Sequence, residues 1–363
     1  MKHETRRLKL DRIASSTRNA RLTPEVFVGP EIIAREGYVL AVRIANDKSS
    51  YHTVEDPSGR MIPLRAGDVL AGTLGSRRAL KGYAGVVPET IAPGDTIDVL
   101  NLGGVLGRCT SSHPDHGAPF SAEVLGAVLV FPALGDRVGR PAHIKDGAVP
   151  PADALTARIP VVYVAGTCMS AGKTAAATEL TRGLARSGFR VAAAKLTGVA
   201  LMRDTLAMMD AGAVAAATFN DAGAASTSAG MTVPIARGLF NHLAKASPDV
   251  LVAELGDGIL GEYGVQDILR NFELMGLAAA IVMAAPDPVG CWGAVQLMKE
   301  LFGLGIDVIT GPATDNEVGR DYVRGALGLP AHNAFNDPSG LVGVVRGALQ
   351  RRAVAVAPAC AAL

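Results

Sequence analysis

The run Gly166-Thr167-Cys168-Met169-Ser170-Ala171-Gly172-Lys173-Thr174 holds the residue types that phosphate binding requires, in workable order. A phosphate group asks for inward-pointing backbone N–H groups, a helix N-terminus behind them and a mobile cation. Gly172 allows close backbone approach, Lys173 has the reach for β- and γ-phosphates, and the Thr174 hydroxyl suits Mg²⁺. The spacing departs from Gly-x4-Gly-Lys-Thr: Gly166 lies one residue early, and Thr167 stands where the first glycine usually does. An apolar strand before the loop and a helix after it set aside the reading of an accidental glycine turn. The expected ligand is a nucleoside triphosphate with Mg²⁺.

Other candidates follow the same chemical logic. Glu254 and Asp257 fall at or just past the end of an apolar run, where a carboxylate holds Mg²⁺ directly or through water; the competing reading is a solvated loop acid. Lys195 ends another such run, placed either to reach substrate or γ-phosphate or to sit on the surface. Arg203, followed by Asp204, has the planar fork that clamps a carboxylate or phosphate, with a local salt bridge as the alternative. Cys109, His113 and His116 form the one Cys/His cluster. Three ligands in a short Pro/Gly loop with no distant fourth are a weak metal signal, and a polar loop over a cleft is the preferred reading. Arg77, Arg78 and Lys81 make a small basic run, read as a solvated turn or an anion contact.

These residues need elements to position them. Before about residue 150, short β-rich runs alternate with Gly, Pro and Asp turns: 38–44, 61–64, 67–74, 94–100 and 123–131. That spacing predicts a small barrel or sandwich. Residues 138–158, rich in proline, read as a linker. Beyond it the pattern becomes β-α-β, with strands expected at 159–165, 190–195, 250–254, 278–284 and 306–310. Continuous apolar runs separated by helical periodicity predict an α/β, doubly wound, mostly parallel sheet. The expected organisation is a β-rich domain over 1–150, a P-loop NTPase domain over 159–350 and an Ala-rich tail over 351–363.

Composition limits the partners. Among 363 residues, 35 basic and 34 acidic side chains leave a net charge of +1, which gives no electrostatic case for nucleic acid or an anionic membrane. Hydrophobic residues at 49% provide for a large core, and aromatics at 4% do not suit a base-stacking surface. Scattered cysteines and a charged, non-apolar N-terminus predict a reducing, cytoplasmic setting.

The Gly-Thr-x-x-x-x-Gly-Lys-Thr loop after an apolar strand resembles dethiobiotin synthetase and its relatives, including the cobyrinic acid diamide synthases. Lys195-Leu-Thr-Gly198 matches their Lys-Pro-containing turn. Glu254-Leu-Gly-Asp-Gly258 matches a Glu-Gly-x-Gly segment whose glutamate helps hold Mg²⁺, and Gly290-Cys-Trp-Gly293 matches a small-residue turn. The resemblance covers about 159–335 and says little about 1–150. The loop has no second lysine at its start, unlike partition ATPases and nitrogenase iron proteins. The resemblance implies ATP and Mg²⁺ as cofactors and Lys173, Lys195 and Glu254 as catalytic residues. It further implies Arg203 and Asp204 near a small-molecule substrate, and a homodimer. Asp315 or Asn316 would read the nucleobase, a helix N-cap being an equal explanation. The implied activity is phosphoryl activation of a carboxylate for amide or ring formation. A nucleotide-switch accessory protein for cofactor or metal delivery and a small-metabolite kinase are the alternatives.

Overall fold

Alternating β-branched and small residues in short runs build the first half of the chain, and long apolar runs build the second. The computed structural model describes residues 5–356, with side chains as far as Arg352. Two units result. The first takes the chain up to Pro150 together with Val199–Arg203 and Phe219–Thr227; the second takes Pro151–Gly198, Asp204–Thr218 and the chain from Ser228 onward.

The first unit contains β1 (Arg6–Lys9), β2 (Arg12–Ile13), β3 (Glu25–Gly29), β4 (Val39–Ile44), β5 (Thr53–Glu55), β6 (Met61–Pro63), β7 (Val69–Leu74), β8 (Arg77–Arg78), β9 (Tyr83–Val86), β10 (Thr96–Val99), β11 (Val105–Ser112), β12 (Phe120–Val130) and β13 (Arg140–Pro141). Its pairings close on themselves. β12 pairs β4, β4 pairs β7, β7 pairs β11, β11 pairs β10, and β10 returns to β12. Closure removes the exposed edges an open sheet would leave. A register shift between Val124 and Gly126 bends the long β12, as a bulge does. Leu40, Val42, Leu70, Leu74, Leu106 and Val124 fill the interior.

The expected linker is corrected at its start. β13 pairs the end of β12, Ala142 donates its N–H to Val128 at 2.7 Å, and Ala142 and Ile144 are buried. Pro141 is tolerated because it occupies a two-residue strand at the sheet's margin, where the missing N–H costs little.

The second unit is a six-stranded sheet in the order β16-β15-β17-β14-β18-β19, parallel throughout. Its strands are β14 (Val161–Gly166), β15 (Val191–Lys195), β16 (Ala215–Thr218), β17 (Val250–Glu254), β18 (Ala278–Ala284) and β19 (Val308–Thr310). Helices α1 (Lys173–Arg186), α2 (Arg203–Asp210), α3 (Thr232–Leu243), α4 (Val265–Arg270), α5 (Phe272–Met275), α6 (Pro288–Phe302), α7 (Glu317–Leu327) and α8 (Pro338–Val356) supply the crossovers. β14 is buried along its whole length, as a strand covered on both faces must be. Ala176, Ala177, Leu180 and Leu184 put one face of α1 into the core, where Val342 and Val345 of α8 join it. The result is a parallel α/β sheet with helices as its crossovers.

Two further expectations are corrected. Gly290–Gly293 is not a turn but part of α6. Asp287 caps that helix by accepting the Gly290 N–H at 2.8 Å, and Pro288 begins it, so the glycines fall inside a well-started helix. The tail expected from residue 351 is helical through Val356, its alanines and valines extending α8; residues 357–363 lie outside the described residues.

Candidate functional site

The loop between β14 and α1 lies at the middle of the sheet, with strand order running outward in both directions, and this is where open α/β sheets bind ligands. Positive φ at Ser170 (60°) and Gly172 (99°) turns successive N–H groups to one side, the geometry of an anion nest. The loop packs against the segments that follow β17 and β19. A Cβ on Gly258, beyond β17, would stand 2.4 Å from the Thr167 carbonyl oxygen, and one on Gly311, beyond β19, 2.3 Å from that of Ala171. Thr167 anchors the loop's start by donating its N–H to the Ala284 carbonyl at 3.0 Å. Gly166 has its own reason: a Cβ there would meet the stem of Lys173 at 2.8 Å.

Lys173 is buried and donates from Nζ to the Cys168 carbonyl at 2.7 Å, across the mouth of the nest. Burial pulls its pKa below the usual lysine value, while the carboxylates of Glu254 and Asp257 act the other way. Thr174 donates from Oγ1 to Glu254 Oε1 at 3.1 Å. Glu254 ends β17 at 2% exposure, and its Oε2 is buried without a hydrogen-bond partner. Burial, then the charge of Asp204, pushes its carboxyl above the ordinary range; Lys195, Lys173 and the Thr174 hydroxyl oppose them.

The parallel register sets Lys195 opposite Glu254. Lys195 is buried rather than superficial and forms an ion pair with Asp204 at the start of α2. Asp257 adopts a left-handed φ of 72°, and burial raises its carboxyl pKa, with the Gly258 N–H acting against that. Strain at a carboxylate beside a phosphate loop is characteristic of sites that hold ligands. The structure thus brings together Lys173, Thr174, Glu254, Lys195 and Asp204.

Other candidates go elsewhere. The Asn316 side chain accepts the Gly319 N–H at 3.1 Å and caps α7. Asp315 is exposed and accepts from Asn333 Nδ2 at 2.8 Å. Asn333, overlooked in the sequence, is 2% exposed and ties Gly311, Thr314 and Asp315 to the Phe335 and Asn336 N–H groups. Only its place in an Asn-x-x-Asn run hinted at this. Arg203 presents its backbone N–H to Glu55 at 2.9 Å. Cys109 Sγ bonds the Ser111 carbonyl at 3.3 Å, His113 and His116 lie with ring centroids 6.0 Å apart, and no group of three His, Cys, Asp or Glu among the described residues is arranged to hold a metal.

The donors present do fit Mg²⁺ delivered with a nucleotide. A hydroxyl and a carboxylate already converge, and the carboxylate's second oxygen is buried without a partner. Magnesium is commonly held by one or two protein oxygens with the remainder from phosphates and water.

No family model matches the chain, and no curated protein matches it. Solved structures do. Chloroplast FtsY from Physcomitrella patens is 12% identical with a TM-score of 0.38, over 54% of this chain and 67% of that one. The hydrogenase maturation factor HypB from Archaeoglobus fulgidus is 15% identical with a TM-score of 0.34, over 53% and 90%. The signal recognition particle receptor FtsY from Elizabethkingia anophelis, solved with GDP, is 10% identical with a TM-score of 0.37, over 56% and 68%. None of these is a dethiobiotin synthetase, and at such TM-scores the likenesses carry no argument. By its own geometry, the second unit is a parallel α/β sheet with a glycine-rich, P-loop-like turn at its centre, beside which Lys173, Thr174 and Glu254 converge.

Proposed function

We propose that the second unit binds a nucleoside triphosphate with Mg²⁺ and hydrolyses its terminal phosphoanhydride, water taking the phosphoryl group and the nucleoside diphosphate leaving, so that it works as a nucleotide switch. The observation that carries this reading is the Thr174–Glu254 contact at 3.1 Å with the second Glu254 oxygen buried and unsatisfied. Bound Mg²⁺ would offset charge on the phosphates. The chain's own groups do the rest. The nest N–H groups would hold the β-phosphate, Lys173 would exchange the Cys168 carbonyl for a phosphate oxygen, and the Thr174 hydroxyl and Glu254 carboxylate would hold the metal.

The Lys195–Asp204 pair favours a switch over a ligase. A carboxylate-activating mechanism spends Lys195 on the developing charge of the substrate, but here Asp204 already neutralises it in a buried ion pair. Asp204 follows directly on Val199–Arg203, the chain segment that belongs to the first unit. A change of charge at Glu254 on Mg²⁺–nucleotide binding therefore acts on a pair joined covalently to that segment. ATP, implied by the family resemblance, and GTP are both admitted by this site.

The test is fluorescent ATP and GTP analogue binding with Mg²⁺ and with chelator, alongside phosphate release. Wild-type protein is expected to bind one of them in a Mg²⁺-dependent way, and Lys173→Ala to lose at least about tenfold in affinity, equivalent to about 1.4 kcal/mol. Equal affinity in that variant removes the site. Turnover raised by a metabolite extract, with a product that gains an amine, would restore the ligase reading.

A further inference from the structure

Arg77 stands in β8 of the first unit at 4% exposure. Its Nη1 donates to the Tyr51 hydroxyl at 3.2 Å and to the Leu100 carbonyl, while its Nε is buried with no acceptor. Among the described residues it forms no ion pair. Taking a guanidinium out of water is costly unless a counter-charge meets it, and two neutral acceptors supply none.

The surroundings add cations and rings. The guanidinium carbon lies 5.9 Å from the Tyr51 ring centroid. Tyr51 meets His116 at 4.6 Å between centroids and Tyr83 edge-on at 5.5 Å. Lys48 donates to the His116 carbonyl at 3.0 Å. The acids nearby are engaged elsewhere: Asp98 accepts the Cys109 N–H at 2.8 Å, and the exposed Asp115 lies 3.5 Å from His113. Tyr51 itself has a φ of 52°, a left-handed conformation that a bulky aromatic residue adopts only when its surroundings enforce it. That strain fixes the ring and hydroxyl beside Arg77. The space a side chain would take at Gly82 belongs to Arg77 Nη2, 2.5 Å from where a Cβ would stand, so this glycine leaves room for the fork.

We infer that the first unit carries an oxyanion site in which Arg77, with Tyr51 beside it, takes the carboxylate or phosphate of a small metabolite. The planar fork matches either group. The missing negative charge is then the ligand's.

The experiment is thermal unfolding of the full chain carrying Lys173→Ala, so that phosphate bound at the nucleotide loop does not count. Inorganic phosphate and malonate are titrated separately against potassium chloride at matched ionic strength, which distinguishes phosphate from carboxylate. One of them is expected to raise the midpoint saturably. Adding Arg77→Met should abolish that rise without lowering the anion-free midpoint, because the variant removes a buried charge that no counter-charge meets; Arg77→Lys should keep part of the rise. The inference is overturned if neither anion exceeds chloride, or if the rise survives Arg77→Met. It is equally overturned if Arg77→Met loses its cooperative transition, since Arg77 would then be part of the scaffold.

Discussion

Glu254 places one oxygen on the Thr174 hydroxyl and leaves the other buried and unsatisfied, an arrangement that costs stability until a ligand arrives. Its pKa lies above the ordinary 4.5, first through burial and then through Asp204. Between the unfolded and the folded value, the native state therefore holds a proton that the unfolded chain has released. The stability from this proton is full below the unfolded value and is lost as pH rises through the folded one. Glu254→Gln should flatten that dependence and raise the nucleotide-free midpoint at neutral pH, by about 2–4 °C for each kcal/mol recovered. The same variant should lose most of the Mg²⁺–nucleotide stabilisation, which in wild type should grow with pH because metal and proton compete for one carboxylate. Midpoints across pH, with and without Mg²⁺–nucleotide, check both; a lower nucleotide-free midpoint for the variant at neutral pH rejects the argument. Lys173, Thr174 and Glu254 were legible in the sequence because each sits next to a strand end or helix start. The Lys195–Asp204 pair was not. It joins the end of β15 to the start of α2 through a loop whose path no local pattern fixes.

At the scale of elements, β-branched and aliphatic runs announced five of the six described strands of the second unit but only five of the thirteen of the first, where the remaining strands are short or, like β11, turn polar along their length. β16 escaped because Ala215-Ala-Ala-Thr218 has the composition of a helix, and only its pairing with β15 makes it a strand. The opposite error, reading Gly290–Gly293 as a turn, gave glycine more weight than the Asp287-Pro288 start signal just before it. Asn316 raises the same issue at the start of α7. Its side chain begins α7, and Asp315 beside it is taken by Asn333. Asn316→Ala should cost about 1 kcal/mol of stability, as loss of an N-cap does, and leave the preference between ATP and GTP unchanged. Urea unfolding and competition binding measure the two effects separately. A changed base preference at constant stability would return Asn316 to the nucleobase-reading role.

The whole molecule departs most from the linear picture of one domain ending and another beginning. A change of composition near residue 150 was visible, but the return of Val199–Arg203 and Phe219–Thr227 to the first unit was not, since both segments read as loops between strands of the second. Their backbone groups are satisfied by residues far upstream. Asn101 donates to the Ala200 carbonyl at 2.7 Å, buried Glu55 accepts the N–H groups of Met202 and Arg203 at 2.7 and 2.9 Å, and Asn19 donates to the Asn220 carbonyl at 2.7 Å. Phe219, Ala222 and Ala225 are buried. Cutting at residue 150 therefore removes most of one unit but leaves two of its segments behind, with polar groups unpaired and apolar surface uncovered. A fragment of residues 151–363 should bind a hydrophobic dye and unfold at lower urea than the full chain. Nucleotide should stabilise it less, because the segment leading into Asp204 has lost the Glu55 carboxylate that fixes it. A dye-negative fragment with the full chain's cooperative transition and nucleotide response would show instead that these segments are passive loops. The Lys195–Asp204 pair would then have no connection to the first unit beyond the peptide chain.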